Sequence, residues 1–179
     1  MWRKQQFWIP INFNLIKINF SAFLKLIRQQ KTEPLVDTNM KYKFCHDTTL
    51  RVRYGETDQM GYCYYGFYAQ YFEVGRVETM RSLGMTYKKL EEEGVMLPVS
   101  EYQVKYKHPA YYDDELTIRT YISEINGARI VFTYELSNDT GKIIATAETT
   151  LVFVNKDTMR PIPAPENFLN LISPFAHEE

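Results

Sequence analysis

The chain has 179 residues, 45% hydrophobic and 24% charged, with a formal net charge of -1. That is the balance of a soluble globular protein with enough chain for one ordinary domain and a full core. Residues 1–39 hold six basic and two acidic residues, leaving fifteen basic against twenty acidic in the remainder. An acidic body argues against nucleic acid as the main partner.

The two cysteines, Cys45 and Cys63, form no CxxC pair, and the three histidines are scattered, so no metal-ligand spacing is present. Reduced thiols in the cytoplasm are the default for such usage. Tyrosines number 14, and a Tyr suits half-buried pockets and strand faces equally.

Residues 1–39 alternate apolar and amide side chains behind a basic start, without the ~20-residue apolar run of a spanning helix. The segment reads either as a basic amphipathic membrane-surface segment or as a leader that precedes a start at Met40; the leader is the expectation. Residues 40–179 are then one domain, entered through a linker around Pro34.

Leu50, Val52 and Tyr54 alternate with Arg51 and Arg53, which predicts a short strand over 50–54. Gly55 to Gly61 is a turn region. From about Tyr65 the spacing becomes helical, with Phe67, Tyr68, Tyr71, Phe72, Val74, Gly75, Met80 and Leu83 on one broad face and Gly84 as a stop. Thr86 is placed to cap a second short helix over 87–93. Glu73 and Arg76, three residues apart, are expected to pair.

Four strands are predicted next, over 97–107, 115–125, 129–137 and 142–154, and a last short helix over 166–172. Asn126-Gly127 and Asn138-Asp139-Thr140-Gly141 are turn signals that make the last three strands antiparallel. A helix with so wide an apolar face must bury it, and a curved antiparallel sheet around it would serve. The chain carries neither a Gly-rich phosphate loop nor a G-x-S-x-G elbow.

Five segments in this order resemble one family: V-R-Y-G-E-T-D (52–58), M-G-Y-C-Y-Y-G (60–66), E-V-G-R-V-E (73–78), L-P-V (97–99) and Y-K-H-P-A-Y-Y-D-D-E-L (106–116). Together, from about Thr48 to Phe153, they are similar to the 4-hydroxybenzoyl-CoA thioesterase-like branch of the hotdog-fold acyl-CoA thioesterases. The resemblance implies an α+β hotdog domain, a five-stranded antiparallel sheet wrapped around a long central helix. It implies hydrolysis of an acyl-CoA to a free acid and CoA without a metal or redox cofactor, by a homodimer or homotetramer. Asp58 aligns with the family's catalytic aspartate, as general base or nucleophile.

Backbone N–H groups near Tyr65 and Gly66 are then placed to hold the oxyanion, and Gly66, lacking a Cβ, to let substrate approach. Of Tyr64 and Tyr65, one is expected to line the site and the other the core. Some branches carry His where Tyr65 stands and Asn two residues later, where this chain has Phe67. A phenol is a poor base at neutral pH, so a His-assisted route is not expected, and Phe67 is assigned to the acyl pocket. Cys63 reads as a small buried side chain, and Lys105 and Lys107 as solvated. The alternatives are a non-catalytic acyl-CoA or acyl-carrier-protein binding module on the same fold, or a membrane-associated protein using residues 1–39.

Overall fold

The computed structural model describes residues 40–176. The reading of residues 1–39 as a leader lies outside them. The elements in chain order are β1 (Met40–Lys41), β2 (Cys45–Arg51), α1 (Tyr68–Ser82), α2 (Tyr87–Glu92), β3 (Val95–Met96), β4 (Val99–Tyr106), β5 (Glu115–Asn126), β6 (Arg129–Asn138), β7 (Ile143–Val152), β8 (Val154–Asn155) and α3 (Glu166–Ile172). Short 3-10 turns cover Tyr54–Glu56, Tyr65–Phe67 and Ser173–Phe175.

One antiparallel sheet runs β5-β6-β7-β4, and β1 and β2 both pair along the remaining side of β5. The number of strand rows, five, is as expected. The period-2 pattern sets the inner face: Leu116, Ile118, Thr120 and Ile122 on β5, and Ile130, Phe132, Tyr134 and Leu136 on β6, are all buried. A register shift between Ile122 and Glu124 lets Ile125 join the same core.

Helix α1 lies across this face. Phe72 is fully buried, with its ring 4.8 Å from that of Tyr134. Burying such a side chain contributes about 1.5–3 kcal/mol. Gly84, at φ +97°, ends the helical region, and Thr86 Oγ1 accepts the Lys89 N–H to start α2. Phe168 of α3 packs on Phe153 and covers one end of the core.

Three expectations are corrected. The first strand is Cys45–Arg51, and Tyr54 instead opens a 3-10 turn. Its inward positions, His46, Thr48 and Leu50, are only half-buried, and charged pairs to β5 hold its outer face: Asp47 with Arg119 at 2.7 Å and Arg51 with Glu115 at 2.8 Å. Val74 is exposed rather than on the buried face of α1. Glu73 and Arg76 form no ion pair among the described residues; the i, i+3 pair on α1 is Glu78 with Arg81, at 3.2 Å. Arg76 instead turns towards the Tyr87 and Tyr134 hydroxyls, with its Nε buried and unbonded.

Candidate active site

The site is built on a short hairpin between β2 and α1. Thr57 bridges to Cys63, the Asp58 N–H donates to Tyr62 O at 3.1 Å, and the Gly61 N–H donates back to Asp58 O at 2.9 Å. Gly61, at φ +79°, takes the left-handed conformation that closes this turn. Asp58 therefore stands in the hairpin turn, not at a helix cap. Its Oδ1 accepts the Met60 N–H at 2.8 Å, and its Oδ2 has no hydrogen-bond partner among the described residues. The residue is half-buried, and the Met60 N–H bond fixes one carboxylate oxygen to the turn.

The hairpin is tied at its base to the start of the helical region. The Tyr64 N–H donates to Glu56 O at 2.8 Å, and the first turn bond beyond it runs from Phe67 N–H to Tyr64 O at 3.0 Å. The N–H groups of Tyr65 and Gly66 fall between these two bonds and have no acceptor among the described residues. They open a 3-10 turn that continues directly into α1, where the helix dipole favours negative charge.

The second strand of the hairpin leans on a distant loop. The Cys63 N–H donates to Ala110 O at 2.7 Å, and Val52 exchanges bonds with Asp113 and Asp114. The segment Y-K-H-P-A-Y-Y-D-D-E-L thus forms the wall behind the Asp58 hairpin, so two motifs some fifty residues apart in sequence make one structure.

Tyr64 and Tyr65 are both exposed, their rings 4.4 Å apart, so neither is a core residue. The tyrosines that enter the core here are Tyr68 and Tyr71. Gly66 also has a packing role beside the one expected. A Cβ there would lie 2.6 Å from the Tyr64 ring, so the absent side chain makes room for that ring. Phe67 is partly buried, packed on the core and edge-on to Tyr64. Cys63 is buried as expected, and burial pushes its thiol pKa up, away from nucleophilic use.

Sequence reasoning missed Glu56. It is 3% exposed and lies beneath the hairpin. Its carboxylate accepts the Tyr71 hydroxyl at 2.6 Å, the Arg53 N–H at 2.8 Å and the Arg53 Nε–H at 2.7 Å. Burial alone would push the Glu56 carboxyl up, but these donors outweigh it and hold the group below the usual glutamate range. Burial, Cys63 and the carboxylate push the Tyr71 phenol up, so it remains a donor.

A depressed folded-state value has a definite sign. Glu56 contributes its full stabilisation above the unfolded glutamate value of about 4.3, and loses it as pH falls through the lower folded value. The urea midpoint of the wild type is expected to fall as pH is lowered from about 5 to about 3, and that of Glu56→Gln to fall less steeply. Equal slopes in the two proteins would show that Glu56 is not the titrating group.

An antiparallel sheet wrapped on one long helix, with a carboxylate hairpin at the helix start, defines a hotdog domain with the layout of a hydrolytic enzyme. The chain belongs to the thioesterase-like superfamily, whose family model matches residues 52–172. It is 35% identical to YneP of Bacillus subtilis over 113 residues, 63% of this chain and 82% of that protein. It is 32% identical to the acyl-CoA thioester hydrolase YbgC of Escherichia coli over 120 residues, 67% of this chain and 90% of that protein. Among solved structures, the DHNA-CoA thioesterase of Staphylococcus aureus superposes with a TM-score of 0.70 at 32% identity, covering 73% of this chain and 89% of that one.

Proposed function

We propose that this protein hydrolyses acyl-CoA thioesters to a free carboxylic acid and CoA. The observation that carries the reading is the register of the Asp58 hairpin on the start of the helical region. The bond between Tyr64 N–H and Glu56 O ties the turn that carries Asp58, with one carboxylate oxygen unbonded among the described residues, to the segment that carries the two unused backbone donors, which supports this reading. A thioester carbonyl placed between them meets a base or nucleophile on one side and an oxyanion site on the other.

As general base, Asp58 takes a proton from water while the water oxygen bonds to the carbonyl carbon. The carbonyl oxygen becomes an oxyanion held by the Tyr65 and Gly66 N–H groups. Collapse of the tetrahedral intermediate breaks the C–S bond, and the CoA sulfur leaves with the proton. As nucleophile, Asp58 attacks the carbonyl carbon and the C–S bond breaks to expel CoA thiolate; water then opens the mixed anhydride to give the free acid and regenerate Asp58, a proton passing to the thiolate, with the same oxyanion site used twice. Tyr64 and Phe67 border the carbonyl, and Phe67 supplies an apolar surface to the acyl group.

The working unit is a homo-oligomer. β4 is an edge strand of eight residues that exposes Val99, Tyr102 and Tyr106. A long edge with apolar side chains is a template for pairing. β4 also borders the site: the Tyr106 hydroxyl donates to Tyr65 O at 3.2 Å and its ring packs on Tyr68. A second copy paired there would cover the site from the open side, which suits a substrate too long for one subunit to enclose.

The exposed Cys45 and buried Cys63 are both free thiols, which fits a reducing compartment such as the cytoplasm. Among the described residues no helix is long and apolar enough to cross a membrane.

Thiol release from a panel of short, long and aromatic acyl-CoAs tests the activity. Turnover of at least one member with saturation kinetics is expected. Binding of acyl-CoA without thiol release from any of them would make the protein a binding module.

A further inference from the structure

We propose that Glu56 and Tyr71 together are the positioning pair for Asp58, fixing the hairpin that carries the carboxylate against the helix that carries the oxyanion donors. The inference rests on the reading of Asp58 as the reacting carboxylate.

Only Thr57 separates Glu56 from Asp58. The Glu56 backbone carbonyl closes the hairpin base through Tyr64 N–H, and its side chain reaches Tyr71 on the buried face of α1 at 2.6 Å. The same Tyr71 hydroxyl stands 3.4 Å from Cys63 Sγ, on the opposite strand of the hairpin. One helical hydroxyl therefore touches both strands of the turn that presents Asp58. The hairpin is joined to the helical region twice, along the chain at Tyr64–Tyr65 and across space at Tyr71. Two joints fix an orientation where one would leave a hinge.

The chemistry of Glu56 suits that task better than an apolar plug would. A carboxylate only accepts, and here it collects three donors: the Arg53 N–H, the Arg53 guanidinium and the Tyr71 hydroxyl. Arg53, on the rim, is largely exposed and supplies the countercharge. Burying an ionised group gains little stability over packed apolar side chains, so a network of this kind next to a reacting group is better explained by the geometry that it imposes. Tyr71 is itself buried, with its ring 5.9 Å from that of Tyr68.

Loosening this pair misaligns the attack without removing any contact to substrate. A misplacement of about 1 Å costs on the order of 100-fold in rate, and an interaction used only in the transition state is lost from kcat rather than from KM. Glu56→Gln, which puts an amide donor against Arg53, and Tyr71→Phe, which removes only the hydroxyl, are the two variants. Each is expected to lose about 10- to 100-fold in kcat with KM within about twofold of wild type, at a temperature where circular dichroism shows it folded.

If Glu56→Gln does not fold, Tyr71→Phe decides. A folded variant that keeps kcat within about twofold of wild type, or whose loss is entirely in KM, overturns the proposal. Asp58→Asn, assayed beside them, separates the two failures. Full activity in Asp58→Asn removes the catalytic reading itself. An inactive Asp58→Asn beside a fully active Tyr71→Phe removes the positioning role alone.

Discussion

Asp58→Asn is expected to lower kcat for thioester hydrolysis by about 1,000-fold, within the range of about 10² to 10⁴ that a positioned acid–base group contributes. The asparagine keeps the structural half of the residue's work. Its amide oxygen still accepts the Met60 N–H that Asp58 Oδ1 accepts at 2.8 Å, so the turn closed by Gly61 survives. What changes is the other atom, from a carboxylate oxygen that on the proposed mechanism takes a proton or attacks carbon to an amide nitrogen that does neither. On the proposed mechanism, the residual rate would come from the Tyr65 and Gly66 N–H groups, which would hold the oxyanion whatever attacks. The measurement is single-substrate thiol release with the thermal midpoint recorded beside it. A midpoint near wild type with kcat also near wild type would assign Asp58 to the turn alone.

The parts of the fold that were legible in the sequence are those where one physical rule acts locally. β5 and β6 alternate cleanly because each has one face on the core, and Leu116 to Ile122 and Ile130 to Leu136 show it. The stops at Gly84 and Gly127 were readable because both positions need positive φ. β2 was misplaced because its inward side chains are His46, Thr48 and Leu50, only half-buried, and its pairing leans on Asp47–Arg119 and Arg51–Glu115. A cross-strand ion pair that spans seventy residues has no local signature.

The same distinction runs through the site. Asp58 sits inside a recognisable string, which is what makes it a candidate. Glu56 stands in that string too, but an acid in a polar turn reads as solvated. Its burial comes from Tyr71, fifteen residues away and on a helix whose orientation only the sheet determines. The usable signal was weak: Arg53 at i−3 supplies a countercharge, and Tyr71 is one of three hydroxyl-bearing side chains, with Tyr68 and Thr79, on the buried face of α1. Glu73 and Arg76 failed in the opposite way. Their spacing permits a pair, but Arg76 is drawn to the Tyr87 and Tyr134 hydroxyls.

Gly75→Val is expected to destabilise the protein by about 2–3 kcal/mol, at the upper end of what overpacking typically costs. Replacing a helical glycine ordinarily stabilises, since Gly is about 1 kcal/mol worse than Ala in a helix interior. Here the sign reverses because of what lies opposite. A Cβ on Gly75 would stand 2.6 Å from Thr120 Oγ1 and 2.8 Å from Ile118 Cγ2. Both atoms belong to short, branched side chains on β5, in the buried centre of the sheet, and neither has a flexible end to swing aside. Gly75 is where α1 approaches β5, so a larger residue must lift the helix. Lifting it by even a few tenths of an ångström shifts Tyr71, one turn earlier, away from Glu56 and Cys63. Chemical denaturation measures the stability loss as a lower urea midpoint at unchanged slope. The same variant, assayed where it is still folded, is expected to lose kcat as Tyr71→Phe does. A stable, fully active Gly75→Val would mean that α1 has room above β5 and that the Tyr71 contact does not depend on how closely the helix approaches the sheet.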